Sequence, residues 1–447
     1  MTRLRRIFPF LGILLPGLAA AEDWPRWGGP DGDFTVAAGA LAETWPAEGP
    51  RQLWKRPLGA GYSSILYQDA QLVTQYRDGE HEVVVALDAE TGATRWERRD
   101  SPRLWPDMSL DFGSGPNGTP LILGDRVLAV DVAGHLRCLD LASGKLHWER
   151  DLPASFGRRK RVEEYGYSGS PLPYAGNAVV LVGGDRHAVV AFDPQDGTVT
   201  WASEPGGVSY AQPTIVRLAG RDHYVYFEPE GVVALDPSTG KTLWRSPIEF
   251  DNGNHLTPAV PCDERHLWVG SQFSTGGGRL LEITGEGDAL SVRRVWFDEE
   301  LQTSHWTLVR LGDFVYGSTG SNRTSFVSAF RWKTGEIAWK TRGFHKAQAL
   351  YADGKLLFLA SDGRLVLARV SPEKLEVLAS AQVTEAVSWT LPTLVSTTLY
   401  LRDQKHVLAL DLATFRQRGA ASSGVSATPP LEARERGRPA ATSSTRR

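Results

Sequence analysis

Apolar residues in this chain come in short runs, each cut off by a polar, glycine-bearing turn, and no useful length keeps a 3.6-residue apolar period. Runs such as Val83-Val84-Val85-Ala86-Leu87 and Val189-Val190-Ala191-Phe192 are apolar throughout and rich in β-branched residues. Such runs suit short strands covered on both faces. The pattern predicts an all-β chain and disfavours a helical solenoid.

One unit recurs along the chain. An apolar strand ends in Asp, with Gly four residues later and Trp eight residues later: Asp88, Gly92, Trp96; Asp140, Gly144, Trp148; Asp193, Gly197, Trp201; Asp236, Gly240, Trp244. A worn copy has Arg331 in the Asp place, followed by Gly335 and Trp339. The Asp side chain can accept hydrogen bonds from turn N–H groups, and Gly takes the left-handed conformation that closes a hairpin. The Trp then lies on the outer strand, where it can pack into the joint between repeats while its indole N–H seeks an acceptor.

Weaker copies fill the remaining length. Leu281-Glu282 leads through an insertion to Trp296, while Val366 to Leu378 keeps the strands but loses both Asp and Trp. His406 to Asp411 ends in Ala-Leu-Asp without ever reaching a Trp, whereas Leu53-Trp54-Lys55 near the start is a Trp strand with nothing before it. Circular closure solves both anomalies, because Trp54 then finishes the sheet that His406 to Asp411 begins. Trp54, Trp96, Trp148, Trp201, Trp244, Trp296 and Trp339 follow one another at 42 to 53 residues, room for about four short strands per repeat. The expected fold is an eight-bladed β-propeller of four-stranded antiparallel blades, with no free sheet edge left at the closure.

The expected boundaries are an export signal over residues 1–21, an N-terminal arm over 22–50, the propeller over 51–417 and a disordered tail over 418–447. Arg3, Arg5 and Arg6 precede an apolar stretch from Ile7 to Leu18 and the small residues Ala19-Ala20-Ala21. That is a leader pattern, too short to span a bilayer. It points to a periplasmic or secreted monomer, and the absence of Cys after the cleavage site argues against a lipid anchor. The arm is Gly- and Pro-rich and holds Trp24, Trp27 and Trp45, whereas the tail is mostly Ala, Ser, Thr, Pro and Arg. Net charge is −3, with arginines concentrated in the leader and tail. The body between is therefore acidic, which excludes a phosphate-contacting nucleic-acid binder. Two cysteines, Cys138 and Cys262, rule out a disulfide framework.

The repeats resemble the pyrroloquinoline-quinone (PQQ) repeat superfamily, which includes quinoprotein alcohol and glucose dehydrogenases and the propeller subunit of the bacterial outer-membrane assembly machine. The opening Trp24-Pro25-Arg26-Trp27-Gly28-Gly29-Pro30 and the later Gly61-Tyr62-Ser63-Ser64 look like an exported, non-lipidated branch of that group. The resemblance implies either a scaffold that holds an envelope partner protein or small ligand, or a dehydrogenase of alcohols or sugars using PQQ and calcium. The dehydrogenases carry two adjacent cysteines beside the quinone, and Cys138 and Cys262 are far apart. The scaffold reading is therefore preferred, with no catalytic residue assigned.

Aligning the starts of the inner strands gives a ring of equivalent positions. Ser64, Thr119, Ser170, Gln212, Thr257, Thr307, Ala347 and Leu391 occupy one place, and two residues upstream stand Tyr62, Asn117, Ser168, Tyr210, His255, His305, His345 and Trp389. These positions should converge on the mouth of the central channel, beside the long excursions Arg98 to Gly118 and Asp151 to Gly169. The candidate ligand site is Tyr62, Asn117, Tyr210, His255, His305, Trp306, His345 and Trp389, with His255, His305 and His345 as candidate metal ligands. The competing reading has each His bonding backbone at a strand start. Asp107, Asp111, Glu163 and Glu164, and the basic run Arg158 to Arg161, are weaker loop candidates.

The joint reading carries a stability prediction. Trp244→Ala should cost about 3–5 kcal/mol, as for an emptied aromatic core site, measured by urea unfolding against the parent.

Overall fold

A computed structural model describes residues 22–414 except 107, 158–164, 249–254, 273–275, 288, 322–323 and 345. The expected leader (1–21) and residues 415–447, which contain the expected tail, lie outside the described residues, as do Asp107, Arg158 to Arg161, Glu163, Glu164 and His345.

Among the described residues the strands form eight antiparallel sheets of four, arranged as a propeller. Blade one consists of Leu66–Gln68, Gln71–Asp78, His81–Asp88 and Thr94–Asp100. Blades two to seven repeat that order, ending with Ala347–Ala352, Lys355–Ala360, Arg364–Val370 and Leu375–Gln382. The eighth blade is made from both ends of the chain. Arg51–Pro57 pairs antiparallel with His406–Asp411, placing Trp54 opposite Ala409 and Arg51 opposite Asp411. The circle is closed as the unpaired Trp54 strand required.

Burial follows from the architecture. Middle strands such as Lys355–Ala360 are buried at every position, because each blade is covered by a neighbour on both faces. Outer strands such as Thr94–Asp100 instead alternate with solvent. The single described helix, Leu152–Phe156, caps on Asp151 in the excursion after blade two.

The repeated triplet has a more specific job than closing a hairpin. The rings of Trp54, Trp96, Trp148, Trp201 and Trp296 lie on the turn glycine of the next blade: a Cβ at Gly144 would sit 2.4 Å from Trp96 Cε3, and one at Gly240 would sit 2.4 Å from Trp201 Cε3. The indole N–H then donates to the carbonyl of the residue after the turn Asp. Trp96 reaches Leu141 O at 2.8 Å, and Trp54 reaches Ala89 O and Trp148 reaches Pro194 O at 3.0 Å; Trp339 keeps the bond at 2.9 Å, to Ser371 O, although Val370 stands in the Asp place. Glycine is thus demanded twice, by a φ of 70° at Gly144 and by the ring that fills its Cβ site. At the degenerate joint, Trp244 is buried but its indole N–H finds no acceptor.

A second belt runs around the inner strand starts. Ser64 N–H donates to Thr119 Oγ1, Thr119 N–H to Ser170 Oγ and Ser170 N–H to Gln212 Oε1, at 3.0, 2.9 and 2.8 Å. Thr307 N–H likewise reaches Gln348 Oε1 of the following blade at 3.2 Å. The small polar series of the sequence is therefore a latch between successive blades.

The arm enters the channel. Trp24 exchanges backbone hydrogen bonds with Tyr67, Pro25 O accepts from Ile122 N–H, and Thr35–Val36 lies parallel to Tyr351–Ala352. Ala38 then bridges Ser396, and Leu41 bridges Ala413. The arm thus satisfies the inner edges of blades one, two, seven and eight.

Two glycines separate docking from backbone freedom. Gly124 has φ 62° with nothing near its Cβ site, so Gly124→Ala should cost only the left-handed penalty, about 1–2 kcal/mol. Gly144→Ala must also displace Trp96 and should cost clearly more. Urea unfolding of the two variants side by side measures the difference.

Candidate functional site

The inner strand starts surround a chamber of about 540 Å³ at one mouth of the channel. Tyr62, Asn117, Tyr210, His305 and Trp389 line it, as does Ser168 from the same register. The long excursions add Phe112 and Tyr165, and the arm contributes Trp27. Trp27 also lines a second cavity of about 250 Å³ further along the inner strands, between the arm and blades three to six. This one indole is therefore a wall common to both cavities. Its contact with Phe34, edge-on with centroids 5.0 Å apart, braces it within the arm.

The chamber wall is a continuous aromatic arc. Tyr62 stacks on Trp389 at 5.3 Å and 20°, while Phe112 leans on Trp389 and on Tyr165 at 5.7 Å each. Tyr165 meets Tyr210 edge-on at 5.3 Å, and His305 packs on Trp389 at 4.8 Å. Hydrogen bonds fix the arc. Tyr62 O–H donates to Phe112 O at 2.7 Å, and Asn117 Nδ2 donates to Tyr165 O at 3.0 Å. Gln348 Nε2 donates to Trp389 O at 2.8 Å and to His305 O at 3.2 Å.

The remaining candidates lie elsewhere. Trp306 is buried behind the arc, its ring tilted at 43° to His305 with centroids 3.9 Å apart and edge-on to Trp389. His255 does not line the chamber: its ring is fully buried against Phe227 at 4.9 Å. Its backbone bonds Ser209 Oγ in both directions. Burial, with help from the Arg279 cation, pushes the His255 imidazole down to about 3. Burial followed by the Lys346 charge brings His305 to about 3 as well. Both are neutral near pH 7.

Trp27, Phe112, Tyr165, Gln272 and Lys346 also line the chamber and were not among the sequence candidates. Two were visible as aromatics in the long excursions, and Trp27 as one of three arm tryptophans. Their convergence was not visible.

The chamber chemistry does not suit calcium. That ion takes six to eight oxygen ligands, largely carboxylates, and no described lining residue is Asp or Glu. Among the described residues, no three His, Cys, Asp or Glu side chains gather closely enough to hold a metal. A flat quinone bearing three carboxylates would find one lining cation, Lys346. Cys138 and Cys262 are separately buried and unbonded to each other, so the adjacent pair of the quinoprotein enzymes is not formed by them.

Fold and repeat together define a β-propeller of the PQQ-like class. The chain belongs to the family described as outer membrane protein assembly factor BamB, which residues 80–341 match. A relative of that description from Burkholderia pseudomallei (strain K96243) is 27% identical over 319 residues, covering 67% of this chain and 71% of its own. A polyvinylalcohol dehydrogenase from a Pseudomonas species is 26% identical over 200 residues, covering 40% of this chain and 29% of its own. Among solved structures, BamB from Moraxella catarrhalis aligns with a TM-score of 0.57 at 17% identity, over 83% of this chain and 99% of that one. A quinohemoprotein alcohol dehydrogenase from Comamonas testosteroni gives 0.57 at 14% identity, over 88% and 81%. At such identities the structural likeness speaks for the fold. No described helix is long and apolar enough to cross a membrane.

The buried His255 makes stability depend on pH. Its folded value of about 3 lies below the ordinary 6.5, so the unfolded chain binds the extra proton as the solution is acidified. The contribution is complete above about pH 6.5 and is lost as pH falls toward 3. From pH 7 to pH 5 this residue should remove about 2 kcal/mol, given ~1.4 kcal/mol per pH unit at full slope. Urea unfolding of the parent and His255→Gln at both values should show a smaller drop in the variant.

Proposed function

We propose that this chain is an extracytoplasmic binding propeller that holds a ligand in its mouth chamber, with the exposed rim of Leu110 and Phe112 offered to an envelope partner protein. The observation that carries the reading is the chamber lining itself: aromatic, amide and hydroxyl side chains, one Lys, and no described carboxylate. Such a concave, mostly apolar site with a few fixed polar groups suits recognition. Its described lining holds no carboxylate to bind calcium or to take the alcohol proton in a quinone-linked oxidation. Residues 1–21 would act as the export leader, and kinship to a protein described as an outer membrane assembly factor agrees with an envelope role.

The dehydrogenase reading makes the opposite forecast. Protein reconstituted with PQQ and calcium should neither retain the quinone through gel filtration nor reduce a dye with alcohols or sugars. Turnover that tracks bound quinone, and is lost on adding a calcium chelator, would overturn the binding assignment.

A further inference from the structure

The chamber's own chemistry narrows the ligand, and this inference rests on the binding role just proposed. Three lining residues each keep a sealed polar atom with no partner in the protein: Ser64 Oγ, Gln272 Oε1 and His305 Nε2. Ser64 and His305 also sit in the ring of strand starts, so two of the three come from the belt that shapes the mouth. A serine hydroxyl both donates and accepts, an amide oxygen accepts, and a neutral imidazole nitrogen does one or the other according to its tautomer. His305 Nδ1 is 3.0 Å from Ser304 Oγ, which leaves Nε2 for a further partner. A hydroxyl, which donates and accepts at once, is the ligand group that suits all three once their side chains turn to the chamber.

Shape and charge narrow the choice further. Phe112 and Tyr165 are inclined at 51°, Phe112 and Trp389 at 52°, and Tyr165 and Tyr210 at 68°. Tyr62 and Trp389 already stack on each other. Apart from the Tyr62–Trp389 stack, the touching rings form a cup of mutually tilted faces. A puckered ring with C–H groups on its faces and hydroxyls on its rim matches such a cup. With no described carboxylate and a single ammonium in the lining, a neutral ligand avoids leaving a buried charge unpaired. We infer that the mouth chamber is a saccharide site that seats one neutral pyranose ring, either a free sugar or the end of a glycan, against the Phe112–Tyr165–Trp389 cup.

Isothermal titration and tryptophan fluorescence on the full chain test this, with maltose, cellobiose and chitobiose as free probes and glycan-bearing beads for the polymeric source. At least one sugar should bind saturably and shift the emission, since Trp27 and Trp389 line the chamber. Phe112→Ala, at a half-exposed position whose loss the fold tolerates, should weaken that sugar at least tenfold. Gln272→Leu, which removes the orphaned acceptor at similar size, should weaken it several-fold, and both variants should keep the parent's unfolding midpoint. Retention on the beads without binding of free sugars would assign the site to a glycan end. Absence of binding by every free and immobilised sugar overturns the saccharide assignment. So does binding that both variants leave unchanged. Either failure is distinct from quinone-dependent turnover, which is what would overturn the binding role.

Discussion

Everything in this molecule hangs on how one blade grips the next. A flat four-stranded sheet has two apolar faces and cannot stand alone, so each must be buried against a neighbour. Trp96 on Gly144, with its indole N–H on Leu141 O, joins apolar contact and hydrogen bond in a single side chain. Repeated at Trp54, Trp148, Trp201 and Trp296, that contact turns a series of hairpins into a ring. Nearer the axis, the chain of bonds from Ser64 to Thr119, Ser170 and Gln212 tightens the same joints. The ring closes because the Trp54 strand belongs to the last blade.

Closure in turn creates the channel, and the channel creates the site. Inner strands leave unsatisfied edges at the axis, and the arm from Trp24 to Leu41 covers part of them. In doing so it sets Trp27 against two cavities, the mouth chamber and the smaller one beside the arm. The aromatic arc above it is held by backbone acceptors such as Phe112 O and Tyr165 O, so excursions of irregular structure are fixed by residues of the regular ring. A site built on blade corners inherits the rigidity of the whole circle.

That rigidity also explains why the histidines do different work at equivalent places. His255 and His305 begin adjacent inner strands in the same register. One packs on Phe227 of the preceding blade, and the other on Trp389 across the mouth. Side chains at a strand start can turn either way, and the neighbouring aromatic decides which. Trp306, one residue from His305, is directed behind the arc by the same alternation.

What the sequence by itself determined was the blade. The distance from Asp to Gly to Trp is local, and any chain with that spacing must place the Trp one strand beyond the turn. Five copies, with an orphan Trp strand at one end and an orphan Asp strand at the other, were enough to predict eight sheets and their closure. The register of the mouth positions was also legible, because equivalent residues in equivalent strands share a height along the axis. Only the tertiary structure decided which of those residues face the chamber, that Gly92 and Gly144 serve as docking sites for a ring, and that Trp27 lines two cavities at once. Those outcomes depend on contacts between segments tens to hundreds of residues apart, which no periodicity records. Packing chose among rotamers and arm paths that the sequence alone left equally open.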